Sequence, residues 1–183
     1  MASNPIFMVT GADCGFAQMY INKSVFSHMM EIELTSVEEA EYPLLVEVWE
    51  DSVRATHDFL RPADREFYRT RMPFYLRSVC LTAARTADGR IVAFLGTDED
   101  RIEMLFVYSA YRGCGIGKRL ITHAIHALGC RCVEVNEQNE QAAGFYRRMG
   151  FVPVGRSARD GEGMPYPLLQ LVWRPEEGCD AAE

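Results

Sequence analysis

Hydrophobic positions along the chain follow two spacings, and each spacing predicts one kind of element. Apolar side chains three and four residues apart, as in amphipathic helices, occur over residues 36–49, 63–77, 116–128 and 140–149. Short apolar or alternating runs, which are typical of strands, occur over residues 31–35, 79–85, 91–97, 102–108, 132–136, 151–156 and 168–173. The predicted order is therefore β-α-α-β-β-β-α-β-α-β-β.

Capping residues and prolines refine these predicted boundaries. Ser36 and Glu39 have the spacing of a capping box at the start of the first helix. Pro43 is expected to kink that helix or move its boundary, and Pro73 is expected to break the second helix. The element order indicates an α+β fold, with a mixed α/β sheet and helices in one layered core.

The ends of the chain differ from the region between them. Residues 1–28 lack clear periodicity, so we expect an extension of uncertain structure. Residues 29–174 are predicted to form one domain, because a chain of 183 residues buries a sizeable core. Residues 175–183 are small and polar, which predicts a disordered tail.

Composition and charge exclude several classes of protein. The chain is 48% hydrophobic and 25% charged, as in ordinary globular domains. A net charge of −7 without a long basic run argues against a nucleic-acid partner. No apolar run approaches the roughly 20 residues that span a bilayer, and the N-terminus lacks the basic region of a secretory signal. We therefore expect a cytoplasmic protein with no membrane partner.

Cysteine and histidine spacing gives no metal signature. The six cysteines include no CxxC pair, and such unpatterned cysteines are typical of a reducing compartment. His123 and His126 share a predicted helix but have no carboxylate at ligand spacing. We therefore expect no metal.

The stretch YRGCGIGKRL, residues 111–120, places three alternating glycines where a predicted strand leads into a helix. Its spacing matches neither a Walker A loop nor the dinucleotide fingerprint. Free amides at a helix N-terminus favour an anion, and Arg112 and Lys118 would add positive charge. The alternative interpretation is a glycine-rich turn without a ligand.

A second stretch, VNEQNEQAAGFYRRMGF, has the pattern N-x-x-A-x-x-F-Y-x-x-x-G-F over residues 139–151. Together with R-x-x-G-x-G it resembles the GNAT superfamily of acetyl-CoA-dependent N-acetyltransferases, over about residues 31–173. The segments THDFL, VNEQNEQA and GMPYPLL are most similar to the small bacterial YjaB-type acetyltransferases. The resemblance implies a mostly antiparallel central sheet with a splayed parallel strand pair, flanked by helices.

The same resemblance implies acetyl-CoA as the acetyl donor. Its pantetheine arm would lie along a strand, its pyrophosphate on the glycine-loop amides, and Asn139 would contact the pantetheine while also capping its helix. The implied cofactor-binding residues are Leu105, Phe106, Val107, Arg112, Gly113, Cys114, Gly115, Ile116, Gly117, Lys118, Asn139, Ala142, Phe145 and Tyr146.

The implied chemistry needs an acid and a base. Tyr146 would protonate the departing thiolate as general acid, with Phe145 filling the core and leaving Tyr146 free. A strand amide near Phe106 or Val107 would hold the oxyanion. The base that deprotonates the amine stays open, with Glu134, His57, Glu103 and water as the alternatives.

The acceptor site is implied in the first two helical regions and the loop before the last strand. Its candidate residues are Arg54, His57, Asp58, Phe59 and Tyr166. The predicted function is direct transfer, in a ternary complex, to a primary amine on a small molecule or a protein, by a monomer or homodimer. The alternatives are a non-catalytic acyl-CoA sensor and an interaction module on the same fold.

Overall fold

Residues 31–175, which the computed structural model describes, form one seven-stranded mixed sheet with helices on both faces. The extension expected over residues 1–28 and nearly all of the expected tail lie outside this range. The strands are β1 Ile32–Ser36, β2 Cys80–Thr86, β3 Ile91–Asp98, β4 Arg101–Val107, β5 Cys132–Asn136, β6 Phe151–Ser157 and β7 Leu168–Trp173. The helices are α1 Tyr42–Thr56, α2 Pro62–Arg77, α3 Ile116–His126 and α4 Glu140–Arg148. The predicted order of elements is confirmed.

The sheet has the strand order β1-β2-β3-β4-β5-β7-β6. Every neighbouring pair is antiparallel except β4 and β5, which are parallel. Their ladder contains only Arg101 opposite Cys132 and Ile102 opposite Val133. Beyond this point the two strands diverge, which confirms the expected splayed parallel pair.

A β-bulge in β4 lies next to this divergence. Gly96 of β3 pairs with Met104, whereas the next residue, Thr97, pairs with Ile102. Glu103 therefore has no partner on β3, and such an extra residue bends its strand and increases the local twist.

Two hydrophobic clusters cover opposite faces of the sheet. One joins α3 and α4 to the sheet, and its fully buried members include Leu95 and Leu120. The other joins α1 and α2 to the sheet around Leu45 and Phe94. Because side chains of consecutive strand residues point to opposite faces, Phe94 and Leu95 of β3 belong to different clusters.

Two predictions about helix boundaries are wrong. The capping box is formed by Glu38 and Glu41, which begin a 3₁₀ turn, and not by Ser36 and Glu39. Pro73 lies inside an uninterrupted α2, because it lies on the exposed side of the helix, where water can bind the carbonyl that loses its partner. Pro43 moves a boundary, as one of the expected alternatives, since it lies in the first turn of α1.

No helix within residues 31–175 combines the length and apolar character that crossing a membrane requires.

Two leucines, one inside α3 and one just beyond its C-terminal end, test the assignment of the core. Leu120 is fully buried, whereas Leu128 is 41% exposed. Leu120→Ala should lower the free energy of unfolding by about 2–5 kcal/mol, since it removes buried surface and leaves a cavity. Leu128→Ala, the matched control, should change it by under about 1 kcal/mol. Urea denaturation measures both, and equal losses would contradict the assignment of the core.

Candidate active site

Two cavities lie against opposite sides of β4 and meet at two side chains. The larger cleft, about 1000 Å³, is lined by the end of β4, the glycine loop and α4. The smaller cavity, about 530 Å³, is lined by α1, α2, β4 and the segment between β6 and β7. His57 and Phe106 line both. Two molecules bound in the two cavities would therefore touch at His57 and Phe106.

The glycine loop forms one end of the larger cleft. Gly113 and Gly115 have φ values of 80° and 83°, a conformation that other residues rarely adopt. Gly115 directly precedes α3, and the first intrahelical bond runs from the Arg119 amide to the Gly115 carbonyl at 3.0 Å. The amides of residues 116–118 therefore have no partner within the helix and attract an anion.

The charges around this cleft reinforce that preference. Arg112, Lys118 and Arg148 line it, opposed by the single carboxylate of Glu140. Arg112 donates a hydrogen bond of 2.6 Å to Gln141, which links the loop to α4. Arg148 and Gln141 were not among the predicted residues, although both lie within the motif that covers α4. The cleft suits a ligand with several negative charges.

The edge of β4 that faces the gap offers further hydrogen bonds. The Tyr108 amide donates to the Val92 carbonyl of β3 at 2.9 Å. Because consecutive strand residues direct their backbone groups to alternate sides, the N–H and C=O groups of Leu105 and Val107 point away from β3 into the gap. A ligand lying in the cleft can pair with them as an added strand would.

Asn139 has the capping role that the sequence predicts. Its side-chain oxygen accepts a hydrogen bond of 3.0 Å from the Ala142 amide at the start of α4. Asn139 is 9% exposed and lines the cleft, and its side-chain NH₂ group donates no hydrogen bond within residues 31–175. These donors remain available to a ligand.

Cys114 and Ile116 differ from the other predicted cofactor residues. Their side chains pack in the hydrophobic core and do not line the cleft, so only their backbone groups can serve a ligand. The remaining predicted residues from β4, the loop and α4 all line the cleft, and these are Leu105, Phe106, Val107, Arg112, Gly113, Gly115, Gly117, Lys118, Asn139, Ala142, Phe145 and Tyr146.

Tyr146 forms part of the cleft wall with its ring in the core. It is 6% exposed, with ring centroids 5.3 Å from Phe145 and 5.4 Å from Phe151. Burial raises the pKa of Tyr146, so the phenol keeps its proton. Its hydroxyl bonds to no group within residues 31–175 and is not sealed from solvent, so it can donate to a ligand.

The expected division between Phe145 and Tyr146 is wrong. Phe145 does not fill the core in place of Tyr146; it is half-buried and lines the same cleft. Its ring lies 3.5 Å from the position that a Cβ on Gly117 would occupy. The tyrosine is the more buried of the two because aromatic rings pack against it from two sides.

His57 follows the last residue of α1, at the junction of the two cavities. Burial, followed by the positive charge of Arg112, lowers the pKa of His57 to about 4, although the charge of Asp58 opposes both. The imidazole is therefore neutral at physiological pH.

Aromatic rings and carboxylates line the smaller cavity. The rings include Trp49, Phe59, Tyr68, Tyr75, Phe106 and Tyr166, and the carboxylates are Asp98, Glu103 and Asp160. Burial raises the pKa of Glu103, while Arg101 opposes that shift. Apolar walls with a few acidic groups suit a ligand that has an apolar stem and a cationic end.

The β6–β7 loop, residues 158–167, closes one side of the smaller cavity and is fastened to α2. Tyr68 donates a hydrogen bond to Asp160, and Tyr75 donates one of 2.6 Å to Glu162. Burial, followed by the hydrogen bond to the carboxylate, raises the pKa of both tyrosines. These two phenols therefore keep their protons and stay donors to the loop.

A third attachment runs in the same direction through Tyr166. Its hydroxyl donates to Asp64 at the start of α2, a carboxylate that also accepts from Arg61 at 2.6 Å. The hydrogen bond from Arg61, followed by that from Tyr166, lowers the pKa of Asp64. Tyr166 is 5% exposed and lines the cavity, as predicted.

Two predicted acceptor residues lie outside both cavities. Arg54 lies on the exposed face of α1, where its guanidinium pairs with Glu50 at 2.6 Å. Residues four apart share a helix face, so Arg54 lies with Glu50, whereas Val53 lies with His57 toward the cavity. Asp58 is exposed and lines neither cavity. His57, Phe59 and Tyr166 are brought together as predicted.

Glu134, a predicted base, also lies outside both cavities. Its carboxylate lies 3.4 Å from the Arg101 guanidinium and accepts a hydrogen bond of 3.1 Å from Gln170. Both partners belong to neighbouring strands, so the side chain is fixed on the exposed face of the sheet. Glu103, the other strand carboxylate, faces the smaller cavity.

Within the described range, no cluster of three or more His, Cys, Asp or Glu side chains could hold a metal ion.

Comparison with known proteins agrees with this architecture. Residues 77–153 match the model of the acetyltransferase (GNAT) domain. The chain is 40% identical over 145 residues to the peptidyl-lysine N-acetyltransferase YjaB of Salmonella typhimurium, covering 79% of this chain and 99% of that protein.

Solved structures give the same result. The solution structure of apo-form YjaB from Escherichia coli superimposes with a TM-score of 0.74 at 38% identity, covering 79% of this chain and 98% of that one. The PaiA N-acetyltransferase of Thermoplasma acidophilum, in complex with coenzyme A, has a TM-score of 0.60 at 20% identity, covering 77% and 98% of the two chains, and this likeness concerns the fold alone.

A sheet splayed between two parallel strands, with a glycine loop before the helix that follows, is the arrangement of the acyl-CoA N-acyltransferase fold. The chain belongs to the GNAT acetyltransferase family, and the relatives that match most of its length include the YjaB enzymes. The prediction that it is an enzyme is confirmed, in preference to a non-catalytic sensor.

The lowered pKa of His57 predicts a loss of stability in mild acid. Below a pH of about 6.5 the unfolded chain binds a proton at this histidine, whereas the folded chain binds it only near its pKa of about 4. Between about pH 7 and about pH 5, the wild type should therefore lose about 1–2 kcal/mol of unfolding free energy relative to His57→Gln. Urea denaturation at both pH values measures this difference.

The control is Leu128→Ala, which changes an exposed residue without a titratable group and leaves His57 in place. It should show the same pH dependence as the wild type. A His57→Gln variant that also follows the wild-type pH dependence would contradict the neutral, buried state of His57.

Proposed function

We propose that this chain transfers the acetyl group of acetyl-CoA to the ε-amine of a lysine side chain in a protein, by direct attack in a ternary complex. The observation that carries the proposal is the junction of the two cavities at His57 and Phe106. A donor in the larger cleft and an acceptor in the smaller cavity can then be bound together, with their reacting atoms in contact and no enzyme-bound intermediate required.

The donor fits the larger cleft group by group. The pyrophosphate of coenzyme A would bind the amides at the start of α3, supported by Arg112 and Lys118. The pantetheine amides would pair with the backbone of Leu105 and Val107 and with the side chain of Asn139. In this orientation the thioester would lie toward His57 and Phe106, which the two cavities share, and within reach of Tyr146, which lines the cleft.

The chemistry then follows from the groups around the thioester. The amine attacks the carbonyl carbon, a C–N bond forms, and the carbonyl oxygen becomes an oxyanion. The oxyanion accepts from whichever β4 N–H facing the gap, that of Leu105 or Val107, the pantetheine leaves unpaired. The intermediate collapses by breaking the C–S bond, and the Tyr146 hydroxyl gives its proton to the departing sulfur. The new amide nitrogen releases its second proton to water, and a proton from water restores the Tyr146 hydroxyl. The raised pKa of Tyr146 keeps this proton in place until the thiolate forms.

Glu103 is the proposed base. It occupies the bulge of β4, faces the smaller cavity, and has a pKa raised by burial. A carboxylate of raised pKa is a stronger base toward the substrate ammonium than a solvated one. The proton passes from the ammonium to Glu103 or to a water molecule that it holds, before the amine attacks.

The composition of the smaller cavity supports a lysine side chain as acceptor. Aromatic rings can pack against its four methylene groups, and carboxylates can attract its ammonium group. The YjaB relatives are peptidyl-lysine N-acetyltransferases, and the chain covers 99% of one of them. Acetylation of a protein lysine is therefore the function that we assign.

The test of this function is turnover by Tyr146→Phe. The variant should bind acetyl-CoA with unchanged Kd in calorimetric titration, while its kcat for lysine acetylation falls about 100-fold, because the sulfur leaves without a proton donor. Gly117→Glu is the contrasting variant, since it places a carboxylate where the pyrophosphate binds and should abolish binding. Gly161→Glu, in open space on the β6–β7 loop, is its control. Folded wild type that fails to bind acetyl-CoA would refute the proposal.

The base assignment is tested by two matched carboxylates. Glu103→Gln should lower kcat about 100-fold. In a plot of kcat against pH, it should also remove the rise that the wild type shows as Glu103, whose pKa is raised, loses its proton. Glu134→Gln, which removes an exposed carboxylate outside both cavities, should stay within about twofold of the wild type. If Glu134→Gln instead lowered kcat and changed its pH dependence, while Glu103→Gln did neither, the role of base would belong to Glu134.

A further inference from the structure

The hydroxyl of Thr56, the last residue of α1, lies between two partners. Its Oγ1 is 2.8 Å from the backbone carbonyl oxygen of Ser52, one turn earlier, and 2.7 Å from Nδ1 of His57. Neither distance exceeds that of an ordinary hydrogen bond. Thr56 lines the larger cleft and is the first residue of the THDFL segment, although it is not among the predicted site residues.

The positions of the hydrogens follow from the number of donors and acceptors that each group offers. A threonine hydroxyl carries one hydrogen, and a carbonyl oxygen can only accept. Without a hydrogen between them, two oxygens at 2.8 Å would repel each other, so Thr56 donates to Ser52. The remaining contact is then a hydrogen bond from Nδ1–H of His57 to the Thr56 oxygen.

This hydrogen bond determines the form of the imidazole. A neutral imidazole carries one N–H, so Nε2 of His57 has a free lone pair. Nε2 bonds to no group within residues 31–175 and is not sealed from solvent. Since His57 lines both cavities, its lone pair is available at their junction. Phe59, with ring centroids 5.2 Å apart, limits rotation of the ring.

We propose that Thr56 is a positioning residue that holds His57 in the Nδ1–H form, so that Nε2 accepts a hydrogen bond from the attacking amine. This inference rests on the proposed function and deepens it. One N–H of the amine points to Nε2, which orients the nitrogen lone pair toward the thioester carbonyl. His57 takes no proton in this step; the proton of the ammonium leaves through Glu103.

The neutral state of His57 supports this role. Burial and the nearby charge of Arg112 lower the pKa of His57, and the opposing carboxylate of Asp58 is exposed. A neutral ring does not repel the incoming ammonium, and it presents an acceptor that an imidazolium lacks.

The direct test is the tautomer itself, read from ¹⁵N chemical shifts of the imidazoles in the full chain at neutral pH. Wild type and Thr56→Ser, which keeps the hydroxyl, should show His57 with Nδ1 protonated. Thr56→Val, of similar shape but without an oxygen, should shift His57 toward the Nε2-protonated form. An Nε2-protonated His57 in the wild type would by itself overturn the inference, because this measurement needs neither a variant nor a substrate.

Kinetics supply the second readout. Thr56→Val should lower kcat for lysine acetylation about tenfold, with Kd for acetyl-CoA unchanged, and Thr56→Ser should restore it. His57→Gln, which can place an amide oxygen near the position of Nε2, should retain more activity than His57→Asn, whose amide reaches only the position of Nδ1. Equal activities of Thr56→Val and Thr56→Ser would overturn the inference.

The two proposals fail in distinguishable ways. A chain that binds acetyl-CoA and shows the Nδ1–H tautomer, but acetylates no lysine, contradicts the proposed function. A chain that acetylates lysine with an Nε2-protonated His57 contradicts only the role of Thr56.

Discussion

The short ladder between β4 and β5 is the constraint on which the rest of the molecule depends. Only two residue pairs join these parallel strands before the bulge at Glu103 bends β4 away. The backbone groups of Leu105 and Val107 then face a gap inside a sheet, where unpaired amides are costly. A ligand with amides of its own would remove that cost, so the weakest point of the sheet is also where we propose that the acetyl donor binds.

Strand geometry explains why the two cavities meet. Consecutive side chains of β4 point to opposite faces, so Leu105 and Val107 pack toward α3 and α4, whereas Phe106 packs toward α1 and α2. The two cavities are therefore separated by little more than the thickness of one strand. In the proposed function, two substrates can therefore meet without the movement of a domain, because the strand that would bind one of them also forms a wall of the cavity for the other.

Features of this molecule that depend on residues close together in the sequence could be predicted, whereas several that depend on contacts between distant residues could not. The element order, the glycine loop and the cap at Asn139 depend on residues close together in the chain, and each is present as predicted. The bulge at Glu103 depends on the register between two strands, which no single stretch of sequence specifies. The ion pair that holds Glu134 outside the cavities is likewise a contact between strands. The burial of Tyr146 depends on Phe151, a residue beyond its own helix.

The three tyrosine–carboxylate bonds that fasten the β6–β7 loop to α2 have a consequence for assembly. They join residues separated by 92, 87 and 102 positions. The larger cleft, apart from its α1 contacts, is built from residues 105–149, a continuous stretch of the chain. Contacts between distant residues carry a greater loop-closure entropy and form late in folding. The wall of the larger cleft can therefore take shape largely within one stretch of the chain, whereas the smaller cavity is complete only when α2 and the β6–β7 loop have come together.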